Sequence, residues 1–309
     1  MTGVQTCALP ILDRCIVAHT GGVGLHAQEQ VRVWVREGRF NDTTGDAVRL
    51  VGQRYDEDGT AAADAWDNDQ DRCVAEVTDT IVTRSGAHGV SAYGSARLTV
   101  RTSKFDGVAR SACYADTGAR LTMSDCEVAG SGSTGVVARG TARLEATACT
   151  VSRSGANALF LDGDSTAVVR ECTLKTSAYS AVHMAGNASV ELDKCTVTGT
   201  PQHGIRVTGR AMLRMTGGRV TRTEMNGIQV EQDGDATVKH VAVEDVAVGI
   251  RVETSHRPLF EDCAVAKTSQ AGMEVSSGAG PTVRVGEAVP SGRGWVPRPG
   301  RERHWPRPC

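Results

Sequence analysis

Apolar and polar residues alternate in short bursts along most of this chain, and the bursts return at a fixed spacing. In residues 135–151, GVVARGTARLEATACTV, Val136 and Ala138 alternate with their neighbours, as do Leu144 with Ala146 and Cys149 with Val151. Period-2 alternation marks strands with one buried face, so this window predicts three short strands. Helical periodicity never persists long enough to predict a packed helix. The window recurs every 23 residues: Gly89, Ala112, Gly135, Ala158, Ala181, Gly204 and Gly227 stand at that interval, then Gly249 and Gly272 after one step of 22. Other columns repeat in phase. Five residues beyond Cys126, Cys149, Cys172 and Cys195 stand Ser131, Ser154, Ser177 and Thr200, and fourteen beyond them Gly140, Gly163, Gly186 and Gly209. The glycines are expected at tight corners, which residues with a Cβ resist.

Such a repeat buries its inner face only against the repeats above and below it. The expected fold is therefore all-β: a single-stranded, right-handed parallel β-helix (solenoid) of about 12 coils of ~23 residues, roughly 50–60 Å long at ~4.8 Å per coil. At the Cys126 position, earlier coils carry Ser103, Thr80, Gly38 and Cys15, and later ones Gly218, Val241, Cys263 and Gly286. Gly38 and Thr80 stand 42 positions apart, which places an insertion at about 53–72. The solenoid is expected over 12–289. Residues 1–11, MTGVQTCALPI, resemble translated sequencing-adapter read-through and are set aside. Residues 290–309 leave the repeat and read as a frameshifted or disordered tail. With no polar cap at either end, the chain is expected to be a fragment whose native form continues in both directions.

Composition narrows the function. A net charge of −2 and a pI near 6.5 leave no basic footprint for nucleic acid or an anionic membrane. No apolar run approaches the ~20 residues of a spanning helix. Cys126, Cys149, Cys172, Cys195 and Cys263 share one inward column. Stacked Cβ atoms stay near ~4.8 Å apart, beyond disulfide preference, and a linear stack does not close a tetrahedral zinc site. The column reads as buried thiols acting as small hydrophobes, which favours a reducing, cytoplasmic compartment.

The unit GVxVxGxAxLxVxxCxV, seen in 135–151, 181–197 and 204–220, resembles the repeats of the pectin-lyase-like superfamily. The segment HRPLFEDCAV, 256–265, resembles repeats of actinobacterial proteins in which a β-helix precedes an AAA-type ATPase module. The resemblance implies an ATPase domain in the intact parent protein; no GxxxxGK[ST] pattern occurs in this chain. It also raises carbohydrate chemistry. The polygalacturonase-like motifs NTD, DD, GHG and RIK, and the alginate-epimerase signature DPHD, are absent as complete motifs, and fold alone does not license function.

Three groups of residues are candidates for chemistry. Glu231 and Glu253 take equivalent outward positions on adjacent coils, near Arg206 and Arg251; stacked carboxyls are expected to raise one pKa, as an acid/base pair requires. Asp116, Arg139 and Asp162 fill the same column, which reads as a charged ladder. His88 and His203 share a turn-lining column with Asp46, Ser111, Thr134, Asn157, Ser180 and Asn226, and His183 stands isolated on an outward face. The insertion YDEDGTAAADAWDNDQD carries Asp56, Asp58, Asp67, Asp69 and Asp71, oxygen ligands of the kind calcium takes. It begins like an EF-hand loop, but Arg72 stands where glycine is needed and Thr78 where glutamate is. No cofactor is expected. The leading reading is a non-catalytic scaffold displaying a regular surface to a protein or polysaccharide, with a contiguous patch including Tyr93, Tyr114 and Phe160. The alternative is a carbohydrate-active enzyme, a lyase, glycosidase or epimerase, with carboxylates and Arg or Lys in a cleft.

Overall fold

A computed structural model describes residues 10–52, 73–276 and 278–284. Every strand pairing among these residues is parallel, and they contain no helix. Each coil has three strands. In one coil Arg120–Ser124 is the first, Glu127–Ala129 the second and Val136–Ala138 the third. First strands stack into one sheet of 12, which spans eleven full turns. Second and third strands form a sheet of 19, joined because Arg219–Gln232, Ala242–Thr254 and Ala264–Val275 run unbroken round the corner between them.

The register is the one the repeat predicts. Leu98, Leu121, Leu144, Ala167, Val190, Leu213 and Ala236 pair in succession and are all buried. Phe105, Val128, Val151, Leu174, Val197 and Val220 do the same on the second strands, and Val90, Cys113, Val136, Leu159, Val182, Ile205 and Ile228 on the third. Each fully buried Val or Leu contributes roughly 1.5–3 kcal/mol, so the core is a bundle of aliphatic columns. The partner of Arg32 is Val74, a step of 42 residues, consistent with an insertion there. Residues 53–72 themselves, with Asp56, Asp58, Asp67, Asp69 and Asp71, lie outside the described residues, as do 1–9 and the tail from 285.

Two turn features differ from the expected ones. The corner between first and second strands is made by a left-handed residue that is seldom glycine: Glu37, Asp79, Thr102, Asp125, Ala148, Glu171 and Lys194 have φ of 44–54°. Gly135, Gly204, Gly227 and Gly249 do not adopt that conformation. Their column is glycine-rich because a Cβ there would overlap a valine Cγ1, that of Val151, Val220, Val243 or Val265. The corner explanation does hold for Gly140, Gly163, Gly186 and Gly209, with φ of 61–74°.

The cysteine column is more than apolar filling. Each side chain follows the left-handed residue and donates to the carbonyl two residues back: Ser103 to Arg101 at 2.7 Å, Cys126 to Ser124 at 3.2 Å, Cys149 to Thr147 at 3.3 Å, Cys172 to Arg170 at 3.2 Å. The described cysteines are all free, and burial pushes the thiols of Cys113 and Cys195 up, keeping them protonated.

Candidate functional site

The third strands carry the most varied outward surface. One outward column runs Ser91, Tyr114, Val137, Phe160, His183, Arg206, Gln229 and Arg251; the next runs Tyr93, Asp116 and, further along, Glu231 and Glu253. Alternation turns these side chains away from the core into which Ala115, Leu161 and Val207 point, although Ser91, Val137 and Gln229 are covered by their neighbours.

Towards the N-terminal half this surface forms an open groove of about 560 Å³. Its walls include His88, Tyr93, Arg110, Tyr114, Arg139 and Phe160, and no carboxylate is among the residues that line it. His88 stacks on Tyr114 at 4.5 Å between ring centroids, and Tyr93 tilts against Tyr114 at 5.6 Å. The Arg49 guanidinium lies 5.3 Å from the centre of the Tyr93 ring, a cation–π distance. The Tyr114 hydroxyl donates to Asp116 Oδ2 at 2.7 Å, and Asp116 Oδ1 accepts the Thr117 N–H at 2.7 Å. Burial, and then the Asp116 carboxylate, push the Tyr114 phenol up to about 12. Tyr114 therefore stays a neutral phenol at neutral pH with its hydrogen committed to Asp116, and a proton taken up at its oxygen can be passed on through that hydrogen bond to Asp116.

The ring of His88 accepts the Ser111 N–H at Nδ1, 3.4 Å away, which leaves Nε2 as the protonated nitrogen of the neutral ring. Burial holds the His88 pKa below its usual value. His183, expected to stand isolated, makes an edge contact with Phe160 at 5.3 Å. His203 lies in the turn-lining column; burial, then Arg206, push it down to about 4, and its buried Nδ1 has no hydrogen-bond partner among the described residues.

Glu231, Glu253, Arg206 and Arg251 are brought together, in an ion ladder. Arg206 donates to Glu231 at 2.6 and 2.9 Å, Arg251 to Glu253 at 2.7 and 3.0 Å, and Gln229 bridges the two carboxylates at 3.2 and 2.7 Å. The expectation of a raised carboxyl fails at Glu253: hydrogen bonding from Arg251 lowers its pKa, because each glutamate has its own cation. Among the described residues no group of three or more His, Cys, Asp or Glu is arranged to hold a metal ion.

Sequence reasoning named Tyr93, Tyr114 and Phe160 as a patch but missed how His88, Asp46 and Asp116 join it. The signal was present in the columns: Tyr114 and Asp116 are two apart on one outward face, and His88 enters from the loop of the coil below.

Solved structures share this architecture at low identity. A mutant of the periplasmic alginate epimerase AlgG superposes with a TM-score of 0.50 at 12% identity, over 79% of this chain and 62% of that one. The A-module of the Azotobacter vinelandii mannuronan C-5 epimerase AlgE6 gives 0.52 at 11% identity, over 82% and 85%. DFA-IIIase from Arthrobacter chlorophenolicus in complex with GF2 gives 0.51 at 13%, over 82% and 66%. The chain thus spans less than two thirds of that AlgG mutant chain. No curated protein sequence matches it. The family model described as right handed beta helix region matches residues 65–220 and 226–287, and with most of its length matched the chain belongs to that family.

Proposed function

We propose that this protein is a carbohydrate-active β-helix that seats an extended, acidic saccharide along the third-strand groove between His88 and Phe160. The observation that carries the reading is the lining itself: Tyr93, Tyr114 and Phe160 offer ring faces, Arg110 and Arg139 offer cations, and no carboxylate is among the residues that line the groove, although Arg139 pairs with Asp162 at 3.5 Å behind it. Aromatic faces pack against the apolar faces of sugar rings, and arginine forks suit carboxylate groups. The epimerases of alginate and mannuronan that share the fold support a carbohydrate ligand over a protein one.

In this reading Tyr114 and Asp116 supply the proton relay if the saccharide is turned over. The regular Arg206–Glu231 and Arg251–Glu253 ladder favours a second reading, a purely binding surface, since it ties up the carboxylates of the C-terminal half.

Titration calorimetry with oligogalacturonate and with a neutral glucan of equal length separates these readings, alongside assay of the treated polymers for new chain ends or altered residues. The acidic chain is expected to bind, and Tyr114→Ala to weaken it about tenfold. Tyr114→Phe keeps the ring, so retained binding with lost turnover marks an enzyme. Binding of neither polymer contradicts the proposal.

A further inference from the structure

We infer that Asp46, buried beneath the groove, is the positioning residue that sets both Arg49 and His88 against the tyrosine pair; the inference rests on the saccharide-binding reading above. Asp46 is 3% exposed, too deep to meet a ligand itself. Its Oδ1 accepts the His88 backbone N–H at 2.9 Å, its Oδ2 accepts the Ser91 hydroxyl at 2.6 Å, and the same oxygen pairs with Arg49 Nε at 3.3 Å. One carboxylate therefore reaches both arms of the platform. Arg49 lies over Tyr93, and His88 lies over Tyr114.

Stacking the coils does not require a charge here. The same column holds His88, Ser111, Asn157, His203 and Asn226 among others, so the coils stack there without a carboxylate. A buried carboxylate is costly unless paired, and at this coil alone the column supplies one, beneath the aromatic platform. His88 is pinned twice, its backbone by Asp46 and its ring by Ser111, with Arg110 and Arg49 the other charges acting on it. The tautomer set by Ser111 leaves Nε2 as the N–H of a ring that lines the groove together with Arg110, and Asp46 holds the backbone that carries this ring.

The test uses the full chain with Asp46→Asn and Asp46→Ser, serine being the residue of the next coil but one. NMR titration of the His88 ring is expected to show its pKa falling in both variants, because the lost carboxylate had favoured the charged ring; a role confined to packing would not move it. Oligogalacturonate affinity is expected to fall about tenfold, and adding Arg49→Gln to Asp46→Asn to cause little further loss, the two acting as one unit. An unchanged His88 titration, or wild-type affinity in both Asp46 variants while Arg49→Gln and His88→Asn weaken binding, would overturn the inference. If the wild-type chain binds no saccharide, the groove reading fails instead, and the His88 titration still decides whether Asp46 controls the ring.

Discussion

Glycine and alanine exchange roles within a single coil. Ala148 is exposed and held at φ 53°, in the left-handed region that costs an L-residue roughly 1–2 kcal/mol. Gly135 has an ordinary backbone but no room for a Cβ, which would overlap Val151 Cγ1 and stand 2.8 Å from the Ala158 carbonyl oxygen. Ala148→Gly is therefore expected to stabilise the fold by about 0.5–1 kcal/mol after the glycine entropy cost, and Gly135→Ala to destabilise it by about 1–3 kcal/mol. Urea denaturation of the two variants checks both signs. The glycine columns were visible in the sequence, but their causes were not: spacing locates a special position without saying whether conformation or space makes it so. Left-handed Glu37, Asp125 or Glu171 carried no glycine signal at all.

At the scale of the element, the coil is the unit of stability, because each buries its inner face only on its neighbours. Removing residues 173–195, one whole repeat of 23, brings Thr196 above Thr150 in the register Thr173 now occupies. That deletion is expected to retain cooperative unfolding and a β-sheet circular dichroism spectrum. Removing only 173–184 throws every later strand out of phase and is expected to abolish both. Strand number and register were legible from period-2 alternation repeated at 23 residues. The merging of second and third strands in Arg219–Gln232 and Ala242–Thr254 was not, since it depends on how the backbone crosses a corner, with shifts in pairing between Thr223 and Asn226 and between Val246 and Val248.

Across the whole molecule, acid tests how the histidines are held. His203 titrates near 4 in the folded chain and near 6.5 unfolded. The unfolded chain binds the proton first as pH falls, so the stability present above about 6.5 is lost on the way down to about 4, by at most ~3 kcal/mol. His203→Asn, matching Asn226 in the same column, is expected to flatten the fall in urea midpoint between about pH 7 and 4.5. The candidate site was partly legible: Tyr93, Tyr114 and Phe160 follow from outward positions, and Glu231, Glu253, Arg206 and Arg251 do meet. The rest depends on contacts between coils, such as His88 over Tyr114, which a single repeat does not reveal. The most direct measurement is a crystal structure of the chain with an oligogalacturonate hexamer. Sugar rings are expected to run along the coils over Tyr93, Tyr114 and Phe160, with carboxylates at Arg110 and Arg139. An empty groove, or sugar bound on another face, would contradict it.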